Sequence, residues 1–300
     1  MYQKFRKWGS ALMIIVLLPY IITVFLNGPV KVTSSSIEET EMYVETENGQ
    51  VLMSMKDIGI GILAKEMPAD FEKEALKAQA VLERTRLYKE IRESQENKLT
   101  KEDFWTVKEM EEAFGSAEFI SRQRTLNMAW EETEGQVLTY EGELALTPFF
   151  YLSNGSTRDG KEALGEEYPY LKIVDCPLDI ESVEQLQTVT VDMMDAEILK
   201  TDTTGYVLSV RVGEEKINGE EFRTTYGLAS SCFVLQEYEN KLRITTRGVG
   251  HGVGMSQNTA NEMAKSGKGH TEILKYFYPG TEIKEVAEII QKEDSLKKKE

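Results

Sequence analysis

Asp70-Phe71-Glu72-Lys73-Glu74-Ala75-Leu76-Lys77-Ala78-Gln79-Ala80-Val81-Leu82-Glu83-Arg84-Thr85 is the stretch that decides the fold of this chain. Phe71, Ala75, Ala78, Leu82 and Thr85 recur at spacings of four and three, the repeat of one helical face. Pro68 and Asp70 give a helix start, so an amphipathic helix is predicted over 70–93. After Gly135 the period changes. Gln136–Tyr140 and Thr147–Leu152 read as strands, and Tyr206, Leu208, Val210 and Val212 alternate with polar residues as in a half-buried strand. Phe233–Gln236 and Lys241–Thr245 flank Glu239-Asn240 as a hairpin, while 258–266 and 272–278 read as helices. Upstream, Val51–Leu63 is short, apolar and interrupted by glycine, which suggests a strand ending near Gly61. Residues 94–127 are charged and partly helical in pattern. The class is α+β, a long helix packed on antiparallel sheet.

The start of the chain differs from the rest. Lys4, Arg6 and Lys7 precede an uncharged apolar stretch from Ala11 to Leu26. A helix from Trp8 to Leu26 would be about 28 Å long, close to the hydrocarbon thickness of a bilayer. No small-residue cleavage site follows directly, so an uncut transmembrane anchor is expected, with its N-terminus in the cytoplasm and a single exported domain outside. The organisation read from this is a cytoplasmic stub and anchor (1–30), an acidic stalk (31–50), one functional domain (51–282) and a charged tail (283–300). A smaller subdomain is allowed around 94–130 or 177–228.

The 300 residues are 41% hydrophobic and 29% charged, ordinary values for a globular protein. A formal net charge of −16 argues against nucleic acid as a partner and leaves room for a locally basic cleft. Two cysteines, Cys176 and Cys232, make a weak metal signal, and whether they pair is open.

Chemistry concentrates in Arg247-Gly248-Val249-Gly250-His251-Gly252-Val253-Gly254-Met255-Ser256-Gln257. Glycine gives a core nothing to bury, so this run is either a turn between strand and helix or a loop holding His251, Ser256 and Gln257 against a ligand. Glu66 falls at the expected strand-to-helix junction beside Met67, where a carboxyl can face a cleft and feel a helix N-terminus. An apolar wall favours the neutral carboxyl, the state a general acid needs. Lys77 and Arg84, seven apart on one helix side, are either a basic stripe paired with neighbouring glutamates or cleft-lining cations. Ser153-Asn154-Gly155-Ser156-Thr157-Arg158 after the aromatic strand Phe149-Phe150-Tyr151 is either a polar turn or a ligand contact. His251 and Ser256 make weak support for a hydrolase triad without an acid to orient the ring.

Three ordered motifs carry a resemblance. Glu66-Met67-Pro68, then Glu74 to Val81 with Arg84-Thr85, then Gly248 to Gln257 closely resemble the stage II sporulation protein D family. Gly135 to Tyr140 and Tyr168-Pro169-Tyr170-Leu171 also match in order, so the likeness spans roughly residues 50–280. It implies a lytic transglycosylase that cleaves the glycan strands of peptidoglycan during engulfment in sporulation, on strands already stripped of stem peptides. The implied partners are a stripping amidase and a membrane scaffold of the engulfment complex. It implies Glu66 as catalytic acid and base, and substrate contacts at Lys77, Arg84 and His251, with Ser153, Ser256 and Gln257 more loosely. One carboxyl suffices, because the muramoyl C6 hydroxyl closes a 1,6-anhydro ring in place of water attack. Many relatives carry a histidine in a Phe-His-Ser context where this chain has Phe150-Tyr151-Leu152; either Tyr151 replaces the missing hydrogen bond to substrate or the turn binds differently. Some relatives bind zinc; with that histidine missing, neither metal nor other cofactor is expected. The competing reading is a wall-binding module that activates an amidase, since a related domain is an amidase enhancer.

Overall fold

The computed structural model describes residues 41–46, 49–93 and 99–289. Strands β1 (Glu41–Thr46) and β2 (Gly49–Ser54) form an antiparallel hairpin that leads into helix α1 (Met55–Glu66). The Ser54 side chain accepts from the Asp57 N–H and caps α1. A strand was expected here, and the chain is helical because Gly59 and Gly61 mark close packing and not a strand break. A Cβ on Gly59 would lie 2.1 Å from the Trp130 ring, and one on Gly61 would lie 2.3 Å from the Trp105 carbonyl oxygen. Helix α1 is apolar and buried nearly all round, so it shows no two-faced period to read.

The predicted long helix is α2 (Lys73–Glu93). It packs against α1, α4 (Phe119–Glu131), α7 (Gln257–Lys265), α8 (His270–Phe277) and β3 (Gln136–Tyr140). Between α2 and α4 the chain runs through α3 (Val107–Phe114), capped by Thr106 and Glu109. The expected stripe of Ala75, Ala78, Leu82 and Thr85 is buried, but so are Leu76, Gln79, Glu83 and Arg84 on the other sides. This helix is ringed by neighbours, so its polar residues are enclosed as well.

The sheets are small and mostly antiparallel. β3 pairs with β4 (Glu143–Leu144) and with β13 (Glu282–Glu285), so the chain continues as a strand where a charged tail was expected. Thr85 Oγ1 accepts from the Leu138 N–H at 2.8 Å, fastening α2 to this sheet. β5 (Phe149–Phe150) pairs with β12 (Met255–Ser256) in parallel, an exception to the expected antiparallel order. After the short helix α5 (Gly160–Leu164), two three-stranded sheets follow: β6 (Leu186–Asp192) with β10 (Phe233–Tyr238) and β11 (Lys241–Arg247), and β7 (Ala196–Thr201) with β8 (Val207–Val212) and β9 (Glu215–Asn218). With α6 (Gly219–Thr225) they enclose a second apolar cluster around Val207, Phe222, Phe233 and Ile244. The first surrounds α2.

One part of the expected class is corrected. Among the described residues no helix is long and apolar enough to cross a membrane. The anchor expected at 8–26 lies outside the described residues, so the transmembrane helix, and the single-pass location drawn from it, have no support in the structure and are set aside.

Candidate active site

The glycine run is a loop locked at several points. Gly248, Gly250, Gly252 and Gly254 all have positive φ. A Cβ would clash at all four, most severely at Gly254, where it would lie 1.9 Å from the Pro148 carbonyl oxygen, and at Gly252, 2.5 Å from Cζ of Tyr206. Val249 and Leu152 exchange both main-chain hydrogen bonds, and Gly250 N–H donates to the Ala229 carbonyl. A buried guanidinium holds the middle. Arg158 donates through Nε to Asp202 at 2.6 Å and through Nη1 to Glu220 at 3.1 Å and the His251 carbonyl at 2.9 Å, and its main-chain N–H reaches Gly252 O. Arg158 closes the polar stretch that begins at Ser153, but nothing in the sequence pointed to this bracing role.

His251 is half-buried with its ring 5.9 Å from that of Phe150. Its Nδ1 accepts from the Val253 N–H at 3.1 Å, so the proton of the neutral ring sits on Nε2. Burial pulls the imidazole below its usual value, and Arg223 and Arg158 reinforce this while Glu220 and the Phe149 carbonyl oppose it. The ring is therefore neutral at pH 7. A 15N-edited titration is expected to show the His251 midpoint below 6.5 with the proton on Nε2. Because the folded state resists protonation, the associated stability is complete above pH 6.5 and declines as pH falls below it.

Glu66 ends α1, so it sits at a helix C-terminus and not at the expected strand-to-helix junction. Its side chain is exposed and makes no hydrogen bond or ion pair within the described residues. It lines a cavity of about 440 Å³ together with His251, Phe149, Arg86, Lys89 and Asp103. Asp103 is the other carboxylate there, and it is engaged by the Thr100 N–H at 2.6 Å and the Thr100 hydroxyl at 3.1 Å. Gln257 Nε2 donates to the Glu66 carbonyl at 2.9 Å and to Gln79 Oε1 at 3.3 Å, satisfying an orphan carbonyl of the last helical turn. Gln79 in turn donates to Glu83, a fully buried carboxylate that also accepts from Arg86. Burial raises the Glu83 carboxyl, Arg86 and Gln79 oppose it, and the charge of nearby Glu66 adds to the rise. Glu66 and His251 thus meet in one cleft from distant parts of the chain, beside Lys65, Lys89 and an Arg86 that is paired with Glu83 and Glu90.

The remaining expected site residues lie elsewhere. Ser153 and Ser256 are buried and meet at Asp179, whose carboxylate accepts from the Ser153 N–H, Ser256 Oγ, Asn258 Nδ2 and Thr259 Oγ1 at 2.7–2.9 Å. Ser256 Oγ also caps α7, so its hydroxyl is committed away from the imidazole. Asp179, in an unpatterned Pro-Leu-Asp-Ile segment, gave no sequence signal. Tyr151 is half-buried and stacks on Phe71 at 6.4 Å, and burial with nearby Glu184 raises its phenol. Arg84 is buried and donates to the Trp130 and Thr133 carbonyls closing α4, with its guanidinium 4.1 Å over the Trp130 ring. Lys77 pairs with Glu74 and Glu132 at 2.7 and 2.9 Å. Neither cation lines the Glu66 cavity.

Glu74 links Lys77 to His270. Burial pushes its carboxyl up, but the Lys77 ammonium and the His270 N–H and ring outweigh this and hold it at about 2. An unfolded glutamate titrates near 4.5, so this stabilisation is full above pH 4.5 and fades as pH falls toward about 2. Urea midpoints measured between pH 5 and 2.5 are expected to fall less steeply for Glu74→Gln than for the parent chain.

Zinc, which the resemblance attributes to some relatives, does not fit these residues. Both cysteines are free and buried, and burial above all drives the Cys176 thiol up to about 12. Among the described residues no three His, Cys, Asp or Glu side chains are grouped to hold a metal ion.

A family model described as Stage II sporulation protein matches residues 44–140. The chain is 31% identical to stage II sporulation protein D of Bacillus subtilis (strain 168) over 262 residues, 79% of this chain and 76% of that protein. It is 30% identical to the protein of that name from Bacillus amyloliquefaciens, with the same coverage. An amidase enhancer of Bacillus subtilis (strain 168) is 25% identical, aligned over 74% of this chain and 40% of that protein.

Proposed function

This chain belongs to the stage II sporulation protein D family, and on that premise we propose that it cleaves the glycan strands of peptidoglycan as a lytic transglycosylase. The observation that carries the proposal is the shared cavity: Glu66, whose side chain has no partner among the described residues, lines it with His251, and Asp103, the other lining carboxylate among the described residues, is held by Thr100. Hydrolytic glycosidases normally use two carboxylates, so one available carboxyl favours the intramolecular route. Glu66 gives its proton to the glycosidic oxygen between N-acetylmuramic acid and N-acetylglucosamine as the bond from that oxygen to the muramoyl C1 breaks. The resulting carboxylate takes the proton of the muramoyl C6 hydroxyl, and O6 bonds to C1 to close the 1,6-anhydro ring. Gln257 positions Glu66 through its carbonyl. His251, neutral, lines the same cavity and bounds the substrate's path to Glu66.

A second reading draws on the relative named an amidase enhancer: a module that binds wall glycan and stimulates an amidase without cutting. One experiment separates the two. Peptide-free glycan strands are incubated with the protein and their ends analysed by mass spectrometry. Appearance of 1,6-anhydromuramic ends supports cleavage. Their absence, with faster stem-peptide release when an amidase is added, supports the second reading.

A further inference from the structure

Glu83 is a carboxylate that the cleavage chemistry does not use. It is fully buried on α2. Arg86 Nε donates to its Oε2 at 2.9 Å, and Gln79 Nε2 donates to its Oε1 at 3.0 Å. A guanidinium holds no acceptor, and an ionised carboxyl between two such donors only accepts. That sets the direction of the amides beyond it. With its nitrogen committed to Glu83, Gln79 turns Oε1 toward Gln257. A single atom, Gln257 Nε2, then serves both Gln79 Oε1 at 3.3 Å and the Glu66 carbonyl at 2.9 Å. Because one nitrogen makes both contacts, the amides cannot reverse in part. Turning Gln79 over turns Gln257 over with it, and sets an amide oxygen against the carbonyl oxygen of Glu66. Gln79 and Gln257 are buried too, where an unpaired amide is costly. Glu83 has a second arm: Arg86, which it holds from behind, lines the cavity shared by Glu66 and His251.

We infer that Glu83 is a positioning residue for Glu66: as an acceptor-only group it fixes the direction of the Gln79–Gln257 amide train, and the train holds the peptide that follows Glu66. The inference rests on the reading of Glu66 as the cleaving acid and concerns how that acid is aimed. The carbonyl carbon gripped by Gln257 is bonded to the Cα that carries the acid. A rotated peptide at the end of α1 therefore re-aims the carboxyl, and a small misplacement of a reacting group is enough to slow chemistry. Glu83 touches no substrate in this role and leaves substrate binding as it is.

Three full-length proteins test this: the parent chain, Glu83→Gln, and the swap that combines Glu83→Gln with Gln79→Glu. In Glu83→Gln the new amide gives its oxygen to Arg86, so its nitrogen faces Gln79 and reverses the train. In the swap that nitrogen meets a carboxylate at position 79, which accepts from it and from Gln257. The original direction returns with the net charge unchanged. Initial rates of anhydromuramic end formation are measured against the concentration of peptide-free strands. The side-chain amide protons of Gln257, identified by their loss in Gln257→Ala, are followed by NMR for exchange with water. Glu83→Gln is expected to lower kcat about a hundredfold with KM unchanged, and to lose the slowly exchanging Gln257 signals. The swap is expected to recover most of both. Parent-like kcat and Gln257 signals in Glu83→Gln overturn the proposal. So does a swap that fails to fold, or that folds without recovering the Gln257 signals, because Glu83 then serves the fold alone. If Glu83→Gln does not fold, the swap decides by itself, and parent-like rate and signals in it support the proposal. The two readings fail separately. Slow Gln257 protons that depend on Glu83, with no anhydro ends from the native chain, keep the amide train and remove the cleavage chemistry. Anhydro ends from the native chain, with Gln257 protons indifferent to Glu83, do the reverse.

Discussion

Glu66→Gln is expected to lower the rate of anhydromuramic end formation by about a hundred- to ten-thousand-fold, the range that a positioned general acid and base contributes. The amide has the shape of the carboxyl and cannot supply the proton. It is also expected to leave the unfolding free energy within about 0.5 kcal/mol of the parent chain, because the exposed side chain has no hydrogen-bond or ion-pair partner among the described residues. Mass spectrometry of the ends and an unfolding curve on the same preparations check both halves. Ends formed by Glu66→Gln at the native rate would sink the assignment of the acid. A loss of ends accompanied by unfolding would leave no case for chemistry at this residue.

Arg158→Ala is expected to destabilise the fold by about 3–5 kcal/mol, the usual cost of removing one partner from a buried ion pair. Asp202 is fully buried opposite the guanidinium at 2.6 Å and would be left without its counter-charge. The His251 carbonyl would lose its donor, and the Tyr206 ring, 4.8 Å from the guanidinium carbon, would lose the group packed over it. Arg158→Lys is expected to recover little, since an ammonium lacks the planar fork that reaches Asp202, Glu220 and a main-chain oxygen together. Urea unfolding of the three proteins measures this, and equal midpoints would show that the pair contributes nothing net.

Where residue period and structural period agree, the fold was readable. Helix α2, strand β3, the hairpin of β10 and β11, and the two helices after the glycine run all stand close to their expected positions. Period fails where burial is total. Helix α1 is apolar on every side and carries glycines for the Trp130 ring and the Trp105 carbonyl, so its composition imitates a broken strand. Spacing alone put Lys77 and Arg84 on one side of α2. Glu74, three residues before Lys77, is a neighbouring partner that the sequence offers, but Glu132 and the Trp130 and Thr133 carbonyls that also engage this side come from segments more than forty residues away. The site divides the same way. The glycine loop announced itself by composition, and Glu66 through its motif. Asp179 and Arg158 hold the two buried polar hubs without any local pattern, since their partners are assembled only by tertiary contact.

The bond from Gln257 to the Glu66 carbonyl joins residues 191 positions apart. Closing so long a span costs conformational entropy before any contact repays it, so this junction belongs to the late stages of folding. Glu66 leaves the ribosome 191 residues ahead of Gln257, so the carbonyl that ends α1 waits for its amide donor until that later segment has been made.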